Sequence, residues 1–185
     1  MKKILMRTSL VLLLITGLAF NAYALPITGA VSFAGPYTVN APALDTATAF
    51  TSFGPVISTG GAGSFAPLVF GTVLTMNVFQ FDPVLSPSPV APWWTVTMGP
   101  ITYSFDITSL SGHTHGAGTL NLEGTGIAHI TGLDDTVGTW ILTANTIGST
   151  FSFSGSAGIP VPEPLTLLLL GAGLVGIGAI RRFKA

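Results

Sequence analysis

The sequence has 185 residues, of which 48% are hydrophobic and only 7% are charged, whereas an average soluble domain has about 25% charged residues. All its lysines and arginines lie near the two ends, so that no basic side chain falls between Thr8 and Ile180. Because nucleic-acid binding depends on cations that neutralise phosphates, the body of this chain is not expected to bind nucleic acid. The absence of cysteine excludes a disulfide framework, a cysteine nucleophile and a cysteine-ligated metal.

Residues 1–24 have the three parts of a secretory signal peptide. A basic segment that contains Lys2 and Lys3 is followed by an apolar run at residues 10–20 and then by Ala22-Tyr23-Ala24. Small side chains such as Ala22 and Ala24 are typical of a signal peptidase site. We therefore predict export across the inner membrane and cleavage between Ala24 and Leu25.

The C-terminal region, residues 161–185, also has three parts. It begins with Val161-Pro162-Glu163-Pro164, continues with an uncharged apolar run at residues 165–180, and closes with a basic cluster of Arg181, Arg182 and Lys184. A helix over residues 165–180 would be about 24 Å long, which with local thinning can span a ~30 Å hydrocarbon core. We predict a transmembrane helix there, with its basic end in the cytoplasm.

Pro162-Glu163-Pro164, the apolar run and the arginine-rich end together resemble the PEP-CTERM sorting domain. The resemblance implies recognition by exosortase, a membrane-embedded processing enzyme of Gram-negative bacteria that make extracellular polysaccharide. It further implies a protein that is anchored transiently by its C-terminal helix and then reaches the cell surface or the extracellular space. The expected partners are exosortase, signal peptidase and membrane lipid, with extracellular polysaccharide as a further candidate.

Between the two signals, residues 25–160 show the period-two alternation of half-buried strands. Ile101, Tyr103, Phe105 and Ile107 alternate with polar residues. No helical periodicity is present, and glycine- and proline-rich turns separate the apolar runs, among them Gly60-Gly61 and Gly124-Thr125-Gly126. Strands are predicted near residues 27–33, 48–53, 72–81, 93–98, 101–108, 118–123, 126–131, 138–145 and 149–154.

Short strands separated by such turns predict an all-β domain. We expect an antiparallel β-sandwich of jelly-roll type over residues 25–160, with a closed barrel as the alternative. The proline-rich segment at residues 82–92 is expected to form a surface loop.

The polar residues of the body offer few candidates for chemistry. His113 and His115 would point to the same side of an extended chain and could share a metal with His129 or Glu123. The glycines that flank this pair favour a solvated turn instead, so no metal site is expected. Asp134-Asp135 is typical of a turn, and nothing in the sequence places Asp106 near Glu123, as glycoside hydrolysis would require.

Trp93-Trp94 is a candidate ligand contact, because consecutive side chains of a strand face opposite ways and one exposed ring could stack on a sugar. Tryptophans in strands more often fill the core or an edge, and that interpretation is favoured. The favoured function is nevertheless structural: an exported surface or extracellular-matrix protein, not an enzyme, without a cofactor and associated with polysaccharide or biofilm. A lectin-like carbohydrate-binding module is the alternative. A metal-dependent enzyme that uses His113 and His115 is favoured least.

Overall fold

The computed structural model describes residues 24–116, 118–147 and 150–158. The predicted signal peptide, apart from Ala24, and the predicted C-terminal tail with its transmembrane helix at 165–180 lie outside these residues. Within the described ranges, no helix has both the length and the apolar character needed to cross a membrane.

The regular secondary structure of the described residues is almost entirely β-strand, which confirms the predicted all-β class. A single 3₁₀ turn, Leu44–Thr46, interrupts the strands. The strands are β1 (Gly29–Val39), β2 (Phe50–Phe53), β3 (Val56–Gly63), β4 (Val73–Met76), β5 (Val90–Met98), β6 (Ile101–Gly116), β7 (Thr119–Ile130), β8 (Thr136–Asn145) and β9 (Thr150–Ala157).

The sheet closes on itself, so the predicted sandwich is wrong and the barrel alternative is confirmed. β1 and β3 to β9 form an antiparallel ring of eight strands, in which Gly29 of β1 lies opposite both Gly63 of β3 and Ala157 of β9. β2 adds only a short pairing to the end of β1. Alternation predicts that each strand buries one face, and this holds equally for a sandwich and a barrel. Closure satisfies the edge groups that a sandwich would leave unpaired.

Aromatic side chains fill the barrel interior. Trp93 packs against Trp140 and Phe153 with ring centroids 5.1 and 5.0 Å apart, and Trp94 packs edge-on against Phe33 at 4.9 Å. All five rings are buried. Contacts of this geometry add to the stability gained by removing the rings from water, and they make the interior a packed core.

Several glycines predicted to form turns lie instead within strands. Gly60-Gly61 belongs to β3, a strand that was not predicted from the sequence. Gly124 and Gly126 lie in the middle of β7, which is one continuous strand. A Cβ atom on Gly126 would meet the Phe105 ring and the backbone oxygen of Asp106. Gly126 is therefore required because the Phe105 ring occupies the adjacent interior space, not because the chain turns there.

The antiparallel ring sorts the loops onto two ends. The end from which β9 leaves the barrel also carries residues 24–28, the β3–β4 loop at 64–72, the β5–β6 turn at 99–100 and the β7–β8 loop at 131–135. We call it the tail-side end, because the C-terminal region continues from it. Phe65 and Leu68 of the β3–β4 loop are buried. The opposite end carries the proline-rich loop, which is a surface loop from Asp82 to Pro89. The loop was predicted to extend to Pro92, but β5 already begins at Val90.

Candidate functional site

His113 and His115 lie in β6, opposite Leu122 and Leu120 of β7, so the predicted solvated turn is wrong. Their rings lie on the same side, as the extended backbone predicts, with centroids 5.7 Å apart. His115 Nδ1 lies 3.2 Å from the carbonyl oxygen of Leu44, and His113 Nε2 lies 3.9 Å from a carboxylate oxygen of Asp82.

The two histidines do not converge with the third ligands considered from the sequence. Residues opposite one another share a face, so His113 shares its face with the buried Leu122, whereas Glu123 lies on the other face. His129 is seven residues along β7 from Leu122, which is about 23 Å at ~3.3 Å per residue. Among the residues that the structure describes, no three histidine or acidic side chains are arranged so that they could hold a metal ion.

An open depression lies beside His113, between the proline-rich loop and β6. Its volume is about 360 Å³, and its walls come from the loop and from residues 108–113 of β6. β5 and β6 pair only as far as Val90 and Ile107, so the loop takes the place of a strand beyond that point. The lining is a mixture of hydroxyl, proline and apolar side chains with His113 as its one titratable member, and it presents no acid–base pair.

Trp93 and Trp94 are both buried in the core, so the prediction that one of them contacts a ligand is wrong. The register between β5 and β6 shifts between Val90 and Trp94. An irregularity of this kind breaks the strict alternation of side chains, and both rings therefore enter the interior. Neither can stack on a sugar from solvent.

His129 lies between two carboxylates, an arrangement that the sequence analysis did not predict. Its Nδ1 is 2.7 Å from Asp135 and its Nε2 is 3.2 Å from Asp106, although the second pair lacks the geometry of a hydrogen bond. In a Ser-His-Asp triad the second ring nitrogen faces a serine hydroxyl, whereas here it faces a carboxylate. The imidazole lies between two carboxylates and has no hydroxyl group on its second nitrogen, so the cluster does not match a nucleophile with its base.

The acidic residues considered from the sequence do not form a pair for glycoside hydrolysis. Asp134 and Asp135 lie in the β7–β8 loop, which confirms the predicted turn. Asp106 lies opposite Ile127, four residues along β7 from Glu123, so the two carboxylates are about 13 Å apart at ~3.3 Å per residue. Glycosidase carboxyl pairs lie at roughly 5 to 9.5 Å, so this pair does not match them.

The feature that identifies the chain lies beyond the barrel. β9 ends at Ala157, and a family model described as a PEP-CTERM protein-sorting motif matches residues 160–182. The chain carries a PEP-CTERM sorting motif. It covers Pro162, Glu163 and Pro164, the apolar run, and Arg181 and Arg182, as the sequence resemblance implied. The match lies outside the described residues, so its geometry is not part of the structure.

The PEP-CTERM motif indicates an exported protein that is sorted by an exosortase at a membrane and then directed to the cell surface. Comparisons with curated proteins and with solved structures give no match. The functional assignment therefore depends on the sorting motif and not on the side chains of the barrel.

Proposed function

We propose that this chain is a noncatalytic structural protein of the cell surface or extracellular matrix, delivered by an exosortase-type enzyme that acts on its C-terminal tail. The observation that carries the proposal is the PEP-CTERM motif at residues 160–182, which begins just after the last barrel strand ends at Ala157. In this proposal the barrel is the part that is delivered to the surface, and the tail is the signal that the sorting enzyme recognises.

The chemistry of the barrel supports a structural role. Its interior is filled with aromatic side chains, and its polar clusters do not combine a nucleophile, a base and a substrate pocket. Hydroxyl pairs link neighbouring strands on exposed parts of the surface, such as Thr139 with Ser156 at 3.0 Å. Such a surface interacts with water mainly through its hydroxyl groups and not through charged side chains.

Association with extracellular polysaccharide is the finer part of the proposal. Of the seven acidic residues, only Glu163 lies outside residues 25–160, so that body carries six acids and no lysine or arginine, a formal charge of −6. An anionic polysaccharide would be repelled by this field unless divalent cations bridge the two. We therefore favour contact with a neutral polysaccharide, or cation-bridged contact with an acidic one.

The lectin-like alternative loses its main support because Trp93 and Trp94 are buried. The open depression beside His113 remains as a surface for a sugar, but it has no exposed aromatic plane of the tryptophan or tyrosine type. The structural proposal requires no such binding site.

The test replaces Pro162-Glu163-Pro164 by three alanines in a chain with an epitope tag in an exposed barrel loop. Export should persist, because the N-terminal signal is intact, whereas the unprocessed protein should accumulate in the inner membrane. Cell fractionation in hosts with and without exosortase measures this distribution. Ser152→Ala, an exposed change on β9, serves as the matched control and should behave as the unaltered chain.

Two results would contradict the proposal. The triple-alanine chain could reach the surface as efficiently as the unaltered chain, or loss of exosortase could leave the distribution unchanged. In either case the tail is an anchor without a sorting role.

A further inference from the structure

Exposed apolar side chains gather at the tail-side end of the barrel. Phe70 is 75% exposed and Leu25 is 73% exposed, and Val69, Val73, Met98 and Ile101 add further exposed apolar surface in the loops and strand ends there. Phe70 and Val69 follow directly after Leu68, which is buried. The loop therefore fixes one side chain in the core and presents the next two to the outside. Exposed apolar surface that is concentrated in one region of a protein marks sites of contact with proteins or membranes.

The length of chain beyond the barrel limits what this end can meet. Six residues, 159–164, separate Gly158 from the apolar run that begins at Leu165, and they span at most about 22 Å when fully extended. β7 alone has 12 residues, about 40 Å along the strand at ~3.3 Å per residue. The connection is too short to run the length of the barrel, so it cannot bring the opposite end to a membrane that holds residues 165–180.

The charges at the tail-side end favour a neutral apolar surface over an anionic one. Asp134 and Asp135 lie in its β7–β8 loop, and one of them is paired with His129. No lysine or arginine occurs between residues 8 and 180, so attraction to anionic lipid headgroups is limited to the single α-amino group that cleavage before Leu25 would leave. A contact made here depends on apolar burial and should change little with salt.

We infer that, before release, the barrel stands with its tail-side end on the outer surface of the membrane that anchors the tail, with Phe70, Val69 and Leu25 inserted at the lipid interface. This rests on the proposed function, because the tail must first be membrane-bound. A short tether holds the barrel at a millimolar effective concentration next to the bilayer, so a few apolar side chains suffice. The contact places Gly158, where the chain leaves the barrel, at a fixed height above the membrane.

The test uses the whole chain, with its tail, purified from a host without exosortase and placed in phosphatidylcholine vesicles. Because the sequence has no cysteine, Phe70→Cys introduces a unique site for an environment-sensitive fluorophore. Ile147→Cys is the matched control, since Ile147 is 89% exposed but lies in the β8–β9 connection at the opposite end. Nitroxide-labelled lipids should quench the probe at residue 70 strongly, and the probe at residue 147 no more than free dye.

A second measurement tests whether the apolar side chains cause the contact. A probe at Met98→Cys should be quenched in the otherwise unaltered chain and should lose that quenching when Val69→Ser and Phe70→Ser are added. Emission from Trp93, Trp94 and Trp140, all buried, reports that each variant is folded. Equal quenching at residues 70 and 147 would overturn the inference, as would quenching that rises with the protein-to-lipid ratio, which indicates contact between copies.

Vesicle flotation separates this inference from the proposed function. If the chain floats with the lipid while the probe at residue 70 stays in water, the tail is anchored as proposed but the barrel does not contact the membrane, and the inference is wrong. If the chain does not float, the membrane-anchored step of the proposed function fails and the inference fails with it.

Discussion

Tyr37 donates a hydrogen bond from its phenolic oxygen to the backbone carbonyl oxygen of Asn145, at 2.9 Å. Tyr37 lies in β1 and Asn145 ends β8, and both strands pair with β9, which lies between them. The bond therefore connects two strands that are not neighbours in the sheet, close to where the first and last strands close the barrel. The Tyr37 ring also packs edge-on against Phe50 of β2, with centroids 5.5 Å apart.

Tyr37→Phe should lower the free energy of unfolding by about 1 kcal/mol, the usual net contribution of one hydrogen bond. The ring and its packing remain, whereas the hydroxyl group and its bond to Asn145 are lost. Urea unfolding followed by tryptophan fluorescence measures the difference. A variant as stable as the unaltered chain would show that water replaces the bond without loss.

Tyr37→Phe should also change how the free energy of unfolding depends on pH under alkaline conditions. Burial raises the pKa of the Tyr37 hydroxyl above its ordinary value of 10.0. The unfolded tyrosine therefore ionises first, so its contribution is complete below about pH 10 and is lost as the pH rises towards the folded pKa. Unfolding free energies measured across this range should fall less steeply for Tyr37→Phe. Identical slopes would show that Tyr37 does not contribute.

Gly126→Ala should destabilise the barrel by roughly 1 to 3 kcal/mol, as overpacking of a core does. The added methyl group would meet the Phe105 ring and the Asp106 carbonyl oxygen. Gly116→Ala is the matched control, because a Cβ there meets only Thr119 Oγ1 at 3.9 Å. Thermal or urea unfolding of both variants tests this, and equal midpoints would show that the strand shifts freely to accept the methyl group.

The class of fold could be predicted because alternation is local. A half-buried strand is predicted from only a few residues, such as the alternating Ile101, Tyr103 and Phe105. Closure of the barrel could not be predicted, because it depends on the pairing of Gly29 with Ala157, two residues that are remote in sequence. Gly124 and Gly126 were predicted to form a turn because glycine alone does not tell a turn from a strand position that faces a ring.

The candidate sites divide in the same way. The sorting motif at residues 160–182 is contiguous, so its residue types and their order are sufficient to predict it. The cluster of Asp106, His129 and Asp135 requires the β6–β7 register and the β7–β8 turn, neither of which the sequence specifies. That Trp93 and Trp94 are both buried could not be predicted from alternation, because the irregular register in β5 leaves no local signal.

His113→Ala should leave the free energy of unfolding within about 0.5 kcal/mol of its original value, as is usual for surface substitutions. His113 is half-exposed and lies 3.9 Å from Asp82, a separation at which such a pair contributes little. His115→Ala should cost about 1 kcal/mol, the usual worth of a hydrogen bond, because its Nδ1 lies 3.2 Å from the Leu44 carbonyl oxygen and its ring lies near Phe81. Unfolding of the two single variants tests the order, and a larger loss for His113 would contradict it.

The exported protein should begin at Leu25. Ala24 is exposed, the carbonyl oxygen of Leu25 accepts a hydrogen bond from the Asp134 amide at 3.0 Å, and Ile27 is buried. Cleavage after Ala24 would thus leave these contacts of Leu25 and Ile27 intact. Mass-spectrometric sequencing of the exported form tests this, and a protein that retains Lys2 would show that the N-terminal segment is an uncleaved anchor.

Deletion of residues 165–185 should convert the chain into a periplasmic protein with an intact barrel. The deletion removes the apolar run and the basic cluster, whereas the pairing of β1 with β9 ends at Ala157, so no barrel contact of the described residues is lost. The truncated chain should keep the emission of its buried tryptophans and the unfolding midpoint of the complete chain measured in detergent. Fractionation should find it in the soluble periplasmic fraction, whether or not the host has exosortase. A truncated chain that stays in the membrane would place the anchor in the N-terminal segment, and one that unfolds would show that the tail contributes to the stability of the barrel.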